Sequence, residues 1–343
     1  MKRLLNTLYV TTEDAYISKD GENVVVQKEG TELARFPLHT LESIICFSYG
    51  GASPSLMGYC VQRGINICFF TPRGRFLARA VGENNGNVLL RRRQYRMADS
   101  EGESVRIARN MLFGKIFNCR WSIERTVRDH SLRVDVPRLK DASNKLQNCL
   151  QMISETEDLS QLRGLEGEAA AVYFGVFNEM ILNNKDDFLF DGRNRRPPLD
   201  NVNALLSFFY TLMTNNCVAA LEGVGLDSYV GFLHRDRPGR ASLALDLIEE
   251  LRAVMVDRFV LTAINTQMVK PGDFITRENG GVHITDACRK RLLSAWQEKK
   301  KETITHPYLK EKIPWGLVPH VQAMLLARYL RGDLDEYPPF LWK

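Results

Sequence analysis

The sequence predicts an α+β protein, with a small β-rich N-terminal domain at 1–82 and a larger all-α C-terminal domain at 88–343. Short runs rich in Val, Ile, Thr and Tyr fill the first part, whereas apolar residues recur at three-to-four spacing in the second. Between them, GENNGN is polar, contains glycine and lacks apolar periodicity, so we predict a linker at 83–87. A chain of 343 residues can build one or two hydrophobic cores.

The N-terminal strands are separated by turns and by one helix. Asp20-Gly21 is typical of a two-residue hairpin turn, because aspartate and glycine tolerate the positive φ that such turns require. Ser53 is expected to cap a helix, with Pro54 in its first turn and Gly64 at its end. The predicted strands are NTLYVTT, AYISKD, NVVVQKEG, ELARFPL, SIICFS and INICFFT.

The C-terminal domain is predicted to be helical, apart from a short hairpin in DFITRENGGVHIT. The sequence shows no internal repeat, and the 44% hydrophobic and 25% charged residues of the whole chain are typical of a globular protein. The predicted helices are VLLRRRQYRMAD, RIARNMLFGKIFNCRWSIERTV, LEGEAAAVYFGVFNEMIL, NALLSFFYTLMTNNCVAAL, LALDLIEELRAVMVDRFVLTAI, ACRKRLLSAWQEK and HVQAMLLARYL.

Charge and cysteine usage exclude some classes of protein. The formal net charge of +5 permits an anionic partner without identifying one. Seven cysteines occur singly, mostly in apolar runs such as NICFF, which argues against a zinc ribbon or disulfide scaffold and fits a reducing cytoplasm. Since no stretch approaches about 18 apolar residues and no signal peptide is evident, we expect no membrane association.

Glu166 is a carboxylate on an apolar helix face. At helical spacing it shares that face with Ala170, Tyr173 and Phe177, whereas Glu168 lies on a more polar face. A buried carboxylate needs compensation for lost hydration. Glu166 is therefore either a functional residue, the partner of a core arginine, or a side chain that reaches water at the end of its helix.

A histidine and several acids flank the short basic loop in GFLHRDRPGRASLALDLIEE. His234 closes an apolar run, where a single histidine is more often a core or turn residue than a ligand. Ser242 can cap the next helix, and Asp246, Glu249 and Glu250 follow at spacings that allow all three to project toward one side. The alternative for the two glutamates is a solvated acidic face, which we favour for Glu250.

One imidazole with several carboxylates and no thiolate suits Mg²⁺ or Mn²⁺. Such an ion can bind a phosphate oxygen and lower the pKa of an attacking hydroxyl, and nearby arginines can hold a phosphodiester. Basic clusters at Arg91–Arg93 with Arg96, at 193–196 and at Lys299–Lys301 favour nucleic acid over other anions. The arginines predicted to contact it are Arg91, Arg237, Arg240 and Arg252.

Three segments carry a resemblance to a known family. RGLEGEAAAVYF, LDNVNALLSFFYTLM and VGFLHRDRPGRASLALDLIEELR, in this order and separation, resemble the CRISPR-associated integrase family Cas1, most closely the form found in type I-C systems. The resemblance covers nearly the whole chain. It implies a metal-dependent endonuclease and integrase that joins short foreign DNA to a CRISPR repeat array, by attack of a 3′-hydroxyl on a phosphodiester.

Carried over by position, the resemblance implies that Glu166, His234 and Glu249 are catalytic metal ligands, with Asp246 in a supporting catalytic role. The family often has aspartate where this chain has Glu249, which leaves open whether Asp246 or Glu249 is the third ligand; we favour Glu249.

Two polar residues, Asn203 and Ser207, match polar positions in the family's middle helix. They are predicted either to support the same cleft or to make hydrogen bonds between helices.

The resemblance also implies partners: double-stranded DNA, a second copy bound through the N-terminal domain, and a small Cas2 dimer that bridges two such homodimers. The tail DEYPPFLWK is either a docking element for a partner or a segment that packs on its own helical domain, since its apolar residues are costly to expose. Two other functions stay open: a non-catalytic nucleic-acid-binding scaffold with a structural acidic cluster, and a metallohydrolase of small phosphate esters.

Overall fold

The computed structural model describes residues 6–82 and 88–343, so the predicted linker at 83–87 lies outside the described residues. The described residues form two compact units. The first takes in the described part of Met1–Asn85 with Ile284–Thr303 and Pro314–Leu317. The second takes in the described part of Gly86–His283 with Ile304–Ile313 and Val318–Lys343. The predicted α+β class, with strands first and helices after, is confirmed.

The strands and helices are numbered in chain order. The strands are β1 Asn6–Val10, β2 Tyr16–Asp20, β3 Asn23–Lys28, β4 Thr31–Pro37, β5 Leu41–Cys46, β6 Asn66–Phe70, β7 Phe76–Arg79, β8 Phe274–Thr276, β9 Val282–Ile284, β10 Thr303–Thr305 and β11 Lys312–Pro314. The helices are α1 Pro54–Gln62, α2 Val88–Asp99, α3 Glu101–His130, α4 Val136–Glu155, α5 Leu159–Gly175, α6 Asn201–Gly223, α7 Ser242–Leu251, α8 Arg258–Asn265, α9 Asp286–Lys301 and α10 Val318–Arg331.

The first unit contains two sheets. One has the order β1-β5-β6-β7, in which β1, β5 and β6 run parallel and β7 is antiparallel. The other is the antiparallel meander β2-β3-β4. A hairpin is present at the predicted place, but Asp20 pairs with Asn23, so the two-residue loop is Gly21-Glu22, with Gly21 at φ 54°. Ser53 caps α1 by accepting a hydrogen bond from Leu56 N at 3.2 Å, as expected, and Gly64 follows at φ 68°.

The division between the units differs from the predicted one, because α9 belongs with the strands. Lys300 is 4% exposed, and its Nζ contacts Glu42 at 2.9 Å and Thr7 at 3.2 Å within the first unit. A charged side chain that finds its partners on β1 and β5 cannot be assigned to a domain by periodicity alone.

All the predicted helices of the second unit are present, together with one that the prediction omitted. In α4, Asp135 accepts a hydrogen bond from Arg138 N at 3.0 Å, and Pro137 lies in the first turn. Its buried residues, such as Leu139, Leu146 and Leu150, recur at helical spacing. These start and periodicity signals were therefore available in the sequence.

The α6 helix is a core element. By length and mean hydropathy it could cross a membrane, and among the described residues no other helix meets that criterion, but 61% of its most apolar window is buried inside the protein. It packs against α7 and α10. An apolar helix covered in this way is accounted for by packing within the fold.

The helical path that starts with α7 contains a π-helical segment, Arg252–Asp257, which leads directly into α8. Such segments insert an extra residue per turn and are frequent at functional sites. Here the segment begins at Arg252 and ends at Asp257, and both residues contact the same tyrosine of α6.

Candidate active site

Lys115 joins two of the predicted site residues. It lies in the middle of α3, which packs against both α5 and α7. Its ammonium donates to Glu166 Oε1 of α5 and lies 2.7 Å from Glu249 Oε2 of α7. Lys115 and Glu249 are 6% and 3% exposed, whereas the side chain of Glu166 is 34% exposed. Two carboxylates from separate helices thus share one cation at the edge of solvent.

The charges of this cluster stabilise one another. Burial raises the pKa of Glu249, but Arg252 and Lys115 outweigh burial and lower it to about 2. Arg252 lies 3.0 Å from Glu249 Oε1. Burial lowers the pKa of Lys115, but Glu249 and Glu166 outweigh it and raise the pKa above its ordinary value. Glu249 is therefore a fully ionised buried carboxylate that neutral pH does not protonate.

Asp246 holds the loop that carries His234. Its Oδ2 accepts from Phe232 N at 2.6 Å and from Leu233 N at 3.0 Å, and its Oδ1 accepts from His234 N at 3.0 Å. Gly231 lets the loop come this close, because a Cβ there would lie 2.7 Å from Asp246 Oδ2. The buried carboxylate of Asp246 therefore has its oxygens occupied, which suits an orienting role better than metal ligation.

The ring of His234 is held in one orientation. Its Nδ1 donates to Asp246 Oδ1 at 2.6 Å, so an ion would bind through Nε2. Arg163 of α5 fixes the preceding residue by donating to Leu233 O at 3.1 and 3.2 Å. His234 is half-buried and near enough to Glu249 to contribute to its low pKa.

Of the predicted ligands, the structure brings Glu166 and Glu249 together. Within 6–82 and 88–343, no group of three or more His, Cys, Asp or Glu side chains is arranged to hold a metal ion. The ligand set Glu166, His234 and Glu249 therefore stays a prediction. The donors fit a hard divalent ion in chemistry: two carboxylates already share a cation, and Asp246 holds Nδ1 of His234, which leaves Nε2 to bind an ion.

The interpretation of Glu250 as a solvated acid is wrong. Glu250 is fully buried, and it accepts hydrogen bonds from Tyr337 OH, Gln322 Nε2 at 3.1 Å and Phe340 N at 2.7 Å. Burial raises its pKa to about 7, because these donors are neutral and cannot offset the loss of hydration. The three acids of α7 therefore do not serve one site, since Glu250 faces the C-terminal segment.

The C-terminal segment packs on its own helical unit. Tyr337 and Phe340 are 1% and 0% exposed. Asn118 of α3 donates to Phe340 O and to Glu250 O, both at 2.7 Å, and accepts from Trp342 N at 2.9 Å. Of the two alternatives for this tail, packing on the same chain is the one present.

The basic loop is braced by its own side chains. The prediction that Ser242 caps α7 is wrong. Its Oγ instead donates to Arg235 O at 3.2 Å. Arg240 also donates to Arg235 O, and its Nε donates to Ser242 Oγ at 3.3 Å. Arg237 is exposed and Arg91 half-buried. Of these predicted DNA-contacting residues, Arg240 has a structural role, and contact of the set with DNA stays a prediction.

The lysine cluster 299–301 is occupied by pairs within the first unit. Lys300 is buried against Glu42, Lys299 lies 2.5 Å from Glu302, and Lys301 lies 2.8 Å from Glu298. This cluster therefore gives little support for nucleic-acid binding, because each lysine is paired with a glutamate of the same unit.

Asn203 and Ser207 support an arginine. Asn203 is fully buried and its Oδ1 accepts from Arg193 Nη1 at 2.5 Å, while Ser207 Oγ accepts from Arg193 Nη2 at 3.0 Å. The guanidinium lies over the Tyr210 ring at 5.3 Å, and Arg252 lies 5.1 Å from the same ring. The two polar residues thus act through Arg193, beside the residues that surround Glu249.

Tyr210 and Tyr173 anchor the end of the π-helical segment. Both hydroxyls donate to Asp257, at 2.5 and 3.2 Å. Burial raises the pKa of Asp257 to about 6, although these hydrogen bonds oppose the change. The sequence prediction missed this group and Lys115. Lys115 carried the same signal as Glu166, because it lies on an apolar face of its helix with Met111 and Cys119.

Comparison with known proteins identifies relatives over the whole chain. A sequence model of the family described as CRISPR associated protein Cas1 matches residues 8–298. CRISPR-associated endonuclease Cas1 1 of Chlorobaculum tepidum is 50% identical over 343 residues, with 100% of both chains covered. CRISPR-associated endonuclease Cas1 2 of Rhodospirillum rubrum is 50% identical over 349 residues, again with 100% of both covered.

Solved structures share the fold at lower identity. A casposase bound to its integration product has a TM-score of 0.82 at 20% identity, covering 99% of this chain and 95% of that one. A CAS1 protein from Thermotoga maritima has a TM-score of 0.81 at 19% identity, covering 95% and 97%. A chain of a Cas6-RT-Cas1–Cas2 complex has a TM-score of 0.82 at 21% identity; it covers all of this chain, which spans 36% of that longer one.

Proposed function

This chain belongs to the Cas1 family of CRISPR-associated proteins, and we propose that it is a divalent-metal-dependent DNA endonuclease and integrase. In this role it inserts short foreign DNA into a CRISPR repeat array during antiviral defence. Relatives at 50% identity are named endonucleases, and a casposase of the same fold was solved with an integration product. The observation that carries the proposal is the pair of carboxylates, Glu166 and Glu249, that share one cation near His234.

The reaction is a transesterification. A 3′-hydroxyl of the incoming DNA attacks a phosphorus of the repeat, a new P–O bond forms, and the bond to the displaced strand breaks to release another 3′-hydroxyl. Glu166, Glu249 and His234 Nε2 would hold Mg²⁺ or Mn²⁺, and the bound ion supplies Lewis-acid stabilisation of the phosphoryl charge.

The remaining residues position the His234 ring and neutralise the charge of the phosphodiester. Asp246 fixes the His234 ring through Nδ1, which leaves Nε2 as the ring nitrogen that would bind the ion. Arg252 stays cationic beside Glu249, which favours an anionic phosphodiester. Arg237, exposed on the loop that follows His234, adds positive charge on the side of approach.

The proposal includes partners and context. We take double-stranded DNA as substrate, a homodimer formed through the β-rich N-terminal domain, and a Cas2 dimer that bridges two homodimers, in a cytoplasmic type I-C system. Support for a Cas2 partner comes from the solved Cas6-RT-Cas1–Cas2 complex, one chain of which shares this fold over 36% of its length. The subtype rests on the resemblance of the three sequence segments alone, and the genes adjacent to this one test it.

Strand transfer is the direct test. Purified protein, supplied with Mn²⁺ and a branched DNA that mimics a half-integrated insert, is expected to cleave or transfer the strand. Glu166→Ala and His234→Ala should abolish the reaction. Glu168→Ala is the matched control, because Glu168 lies two residues along the same helix and is exposed. Equal activity in all three variants would contradict the site assignment.

A second candidate function is the nucleic-acid-binding scaffold. The contacts of Lys115 with both carboxylates favour it, because such pairs are also what a purely structural cluster would make. Under this alternative the wild-type protein binds branched DNA without transferring strands in Mn²⁺, and Glu166→Ala changes thermal stability while leaving DNA affinity unchanged.

A further inference from the structure

Arg193 lies in a cradle of neutral groups. Its Nη1 donates to Asn203 Oδ1 at 2.5 Å and to Asn194 O, its Nη2 donates to Ser207 Oγ at 3.0 Å, and its guanidinium covers the Tyr210 ring. Each of these partners binds the guanidinium without cancelling its charge. Geometry is thus fixed while the positive charge is retained.

The orientation of Asn203 shows that the cradle is organised around a cation. Its amide Nδ2 donates to Asp200 Oδ2 at 2.6 Å and to Gly192 O at 2.9 Å, both of which can only accept. The amide oxygen is therefore forced toward Arg193 and Asn194 N, which only donate. A flipped amide would face donors with a donor at the Arg193 end and acceptors with an acceptor at the Asp200 end.

Arg193 and Arg252 contact the same tyrosine, but only Arg252 has a carboxylate that balances its positive charge. Arg252 is paired with Glu249 at 3.0 Å. For Arg193, no carboxylate of the described residues lies within ion-pair distance, and its Nε is enclosed by protein without a hydrogen-bond partner. Burial lowers the pKa of Arg193 to about 10, so the group is still charged at neutral pH. Asp257 is near enough to raise the pKa of Arg193 but makes no ion pair with it. A half-buried guanidinium with only this distant compensation would be stabilised by an anionic ligand.

From this we infer that Arg193 is a phosphate-binding residue, which holds one backbone phosphate of DNA next to the residues around Glu249. The inference rests on the proposed function, because DNA is taken as the anion. It separates Arg193 from its neighbours Arg195 and Arg196, which belong to the same basic cluster in the sequence but are exposed. Asn203 and Ser207 then act as positioning residues, since they hold the guanidinium in place.

The test is the salt dependence of DNA binding, measured by fluorescence anisotropy with labelled branched DNA in EDTA over a series of KCl concentrations. Arg193→Gln is expected to weaken binding about 5- to 20-fold and to reduce the slope of log K against log salt by about one. Arg196→Gln is the matched control, with an expected change under about 2-fold. If Arg193 only stabilises the fold and binds no phosphate, Arg193→Gln would lower the melting temperature and leave the slope at the wild-type value.

A second variant covers the case in which Arg193→Gln does not fold. Ser207→Asp places a carboxylate beside the guanidinium, so it should neutralise Arg193 in place, keep the melting temperature and lose the same slope. Wild-type affinity and slope in Ser207→Asp, or equal losses in Arg196→Gln, would overturn the inference. Strand transfer by the wild-type protein in Mn²⁺ is measured separately, so its absence counts against the proposed function while the binding slopes still decide on Arg193.

Discussion

Two adjacent glutamates of α7, Glu249 and Glu250, show how differently one helix turn can use the same side chain. Both are buried, at 3% and 0% exposure. Arg252 and Lys115 outweigh burial at Glu249 and lower its pKa to about 2. At Glu250 burial prevails over three neutral donors and raises the pKa to about 7. One residue keeps its charge among cations, whereas the next is an acid about half protonated at neutral pH that fixes the C-terminal segment.

The difference teaches that burial alone does not mark a functional carboxylate. Burial penalises both groups, and what separates them is whether cations or neutral donors surround the oxygens. Glu249 is close to Glu166 through Lys115, and this side of α7 is where we propose that the divalent ion binds. The Glu250 oxygens instead accept hydrogen bonds from Tyr337, Gln322 and Phe340.

Neutralising each glutamate in turn should give the largest contrast. Glu249→Gln removes a predicted metal ligand and is expected to reduce strand transfer at least about 100-fold, as losses of charge-stabilising groups do. Glu250→Gln should stay within about 3-fold of the wild-type rate, because it removes nothing that contacts the reacting atoms. The rates are measured with branched DNA in Mn²⁺, and equal losses in both variants would break the comparison.

Removing the shared cation tests the Glu249 side through stability. Lys115→Met leaves two carboxylates without their ammonium, which should cost about 3 kcal/mol of the free energy of unfolding in EDTA, as for other broken buried pairs. Because Mn²⁺ and the ammonium are alternatives for the same oxygens, saturating Mn²⁺ should raise the melting temperature more in Lys115→Met than in the wild type. An unchanged melting temperature in both solutions would show that the cluster contributes nothing.

The pH dependence of stability should have opposite signs for the two glutamates. The folded-state pKa of Glu250 is about 7, above its ordinary 4.5, so its stabilising effect is present below about pH 4.5 and is lost as pH rises through 7. This amounts to about 3 kcal/mol. The effect of Glu249 is present above about pH 4.5 and is lost as pH falls toward 2.

Glu250→Gln isolates the first of these effects. Urea unfolding between about pH 5 and 8 should show wild-type stability that falls with pH, and a flatter profile in the variant. Asp257, whose pKa burial raises to about 6, remains in both proteins and cancels in the difference. Parallel profiles for the two proteins would contradict the raised pKa of Glu250.

The smallest effect is expected on the tail side. Asn118→Ala removes three hydrogen bonds that hold Phe340, Trp342 and the Glu250 carbonyl. The cost should be about 1–3 kcal/mol, and limited proteolysis should cut the C-terminal segment sooner. Mn²⁺ affinity should be unchanged. A loss of Mn²⁺ affinity would mean that the two sides of α7 are coupled.

Local patterns predicted much of the fold and some of the site. The cap at Ser53, the hairpin after Asp20 and the helical periodicities act over a few residues, so the sequence alone carries them. Glu166 can be identified from the sequence because a carboxylate on an apolar helix face is unusual. Lys115 is likewise a charged residue on an apolar helix face. Periodicity could not separate Glu249 from Glu250, because their partners lie on α3 and in the C-terminal segment, far away along the chain.

The residue that caps a helix is harder to predict from the sequence than the face that the helix buries. Ser242 has the residue type of a cap, yet its hydroxyl bonds within the basic loop, because Arg240 and the Arg235 carbonyl compete for it. In the same way, the roles within the arginine cluster at 193–196 depend on which side chain reaches α6. Tertiary contacts decide these cases.

The most direct measurement is a crystal structure of the wild-type protein grown with Mn²⁺, with the ion located by its anomalous scattering. We predict one ion bound by Glu166, Glu249 and His234 Nε2, with the Lys115 ammonium moved away from at least one carboxylate. Data of good quality in which Lys115 still bridges both glutamates and no ion lies on His234 would contradict the account.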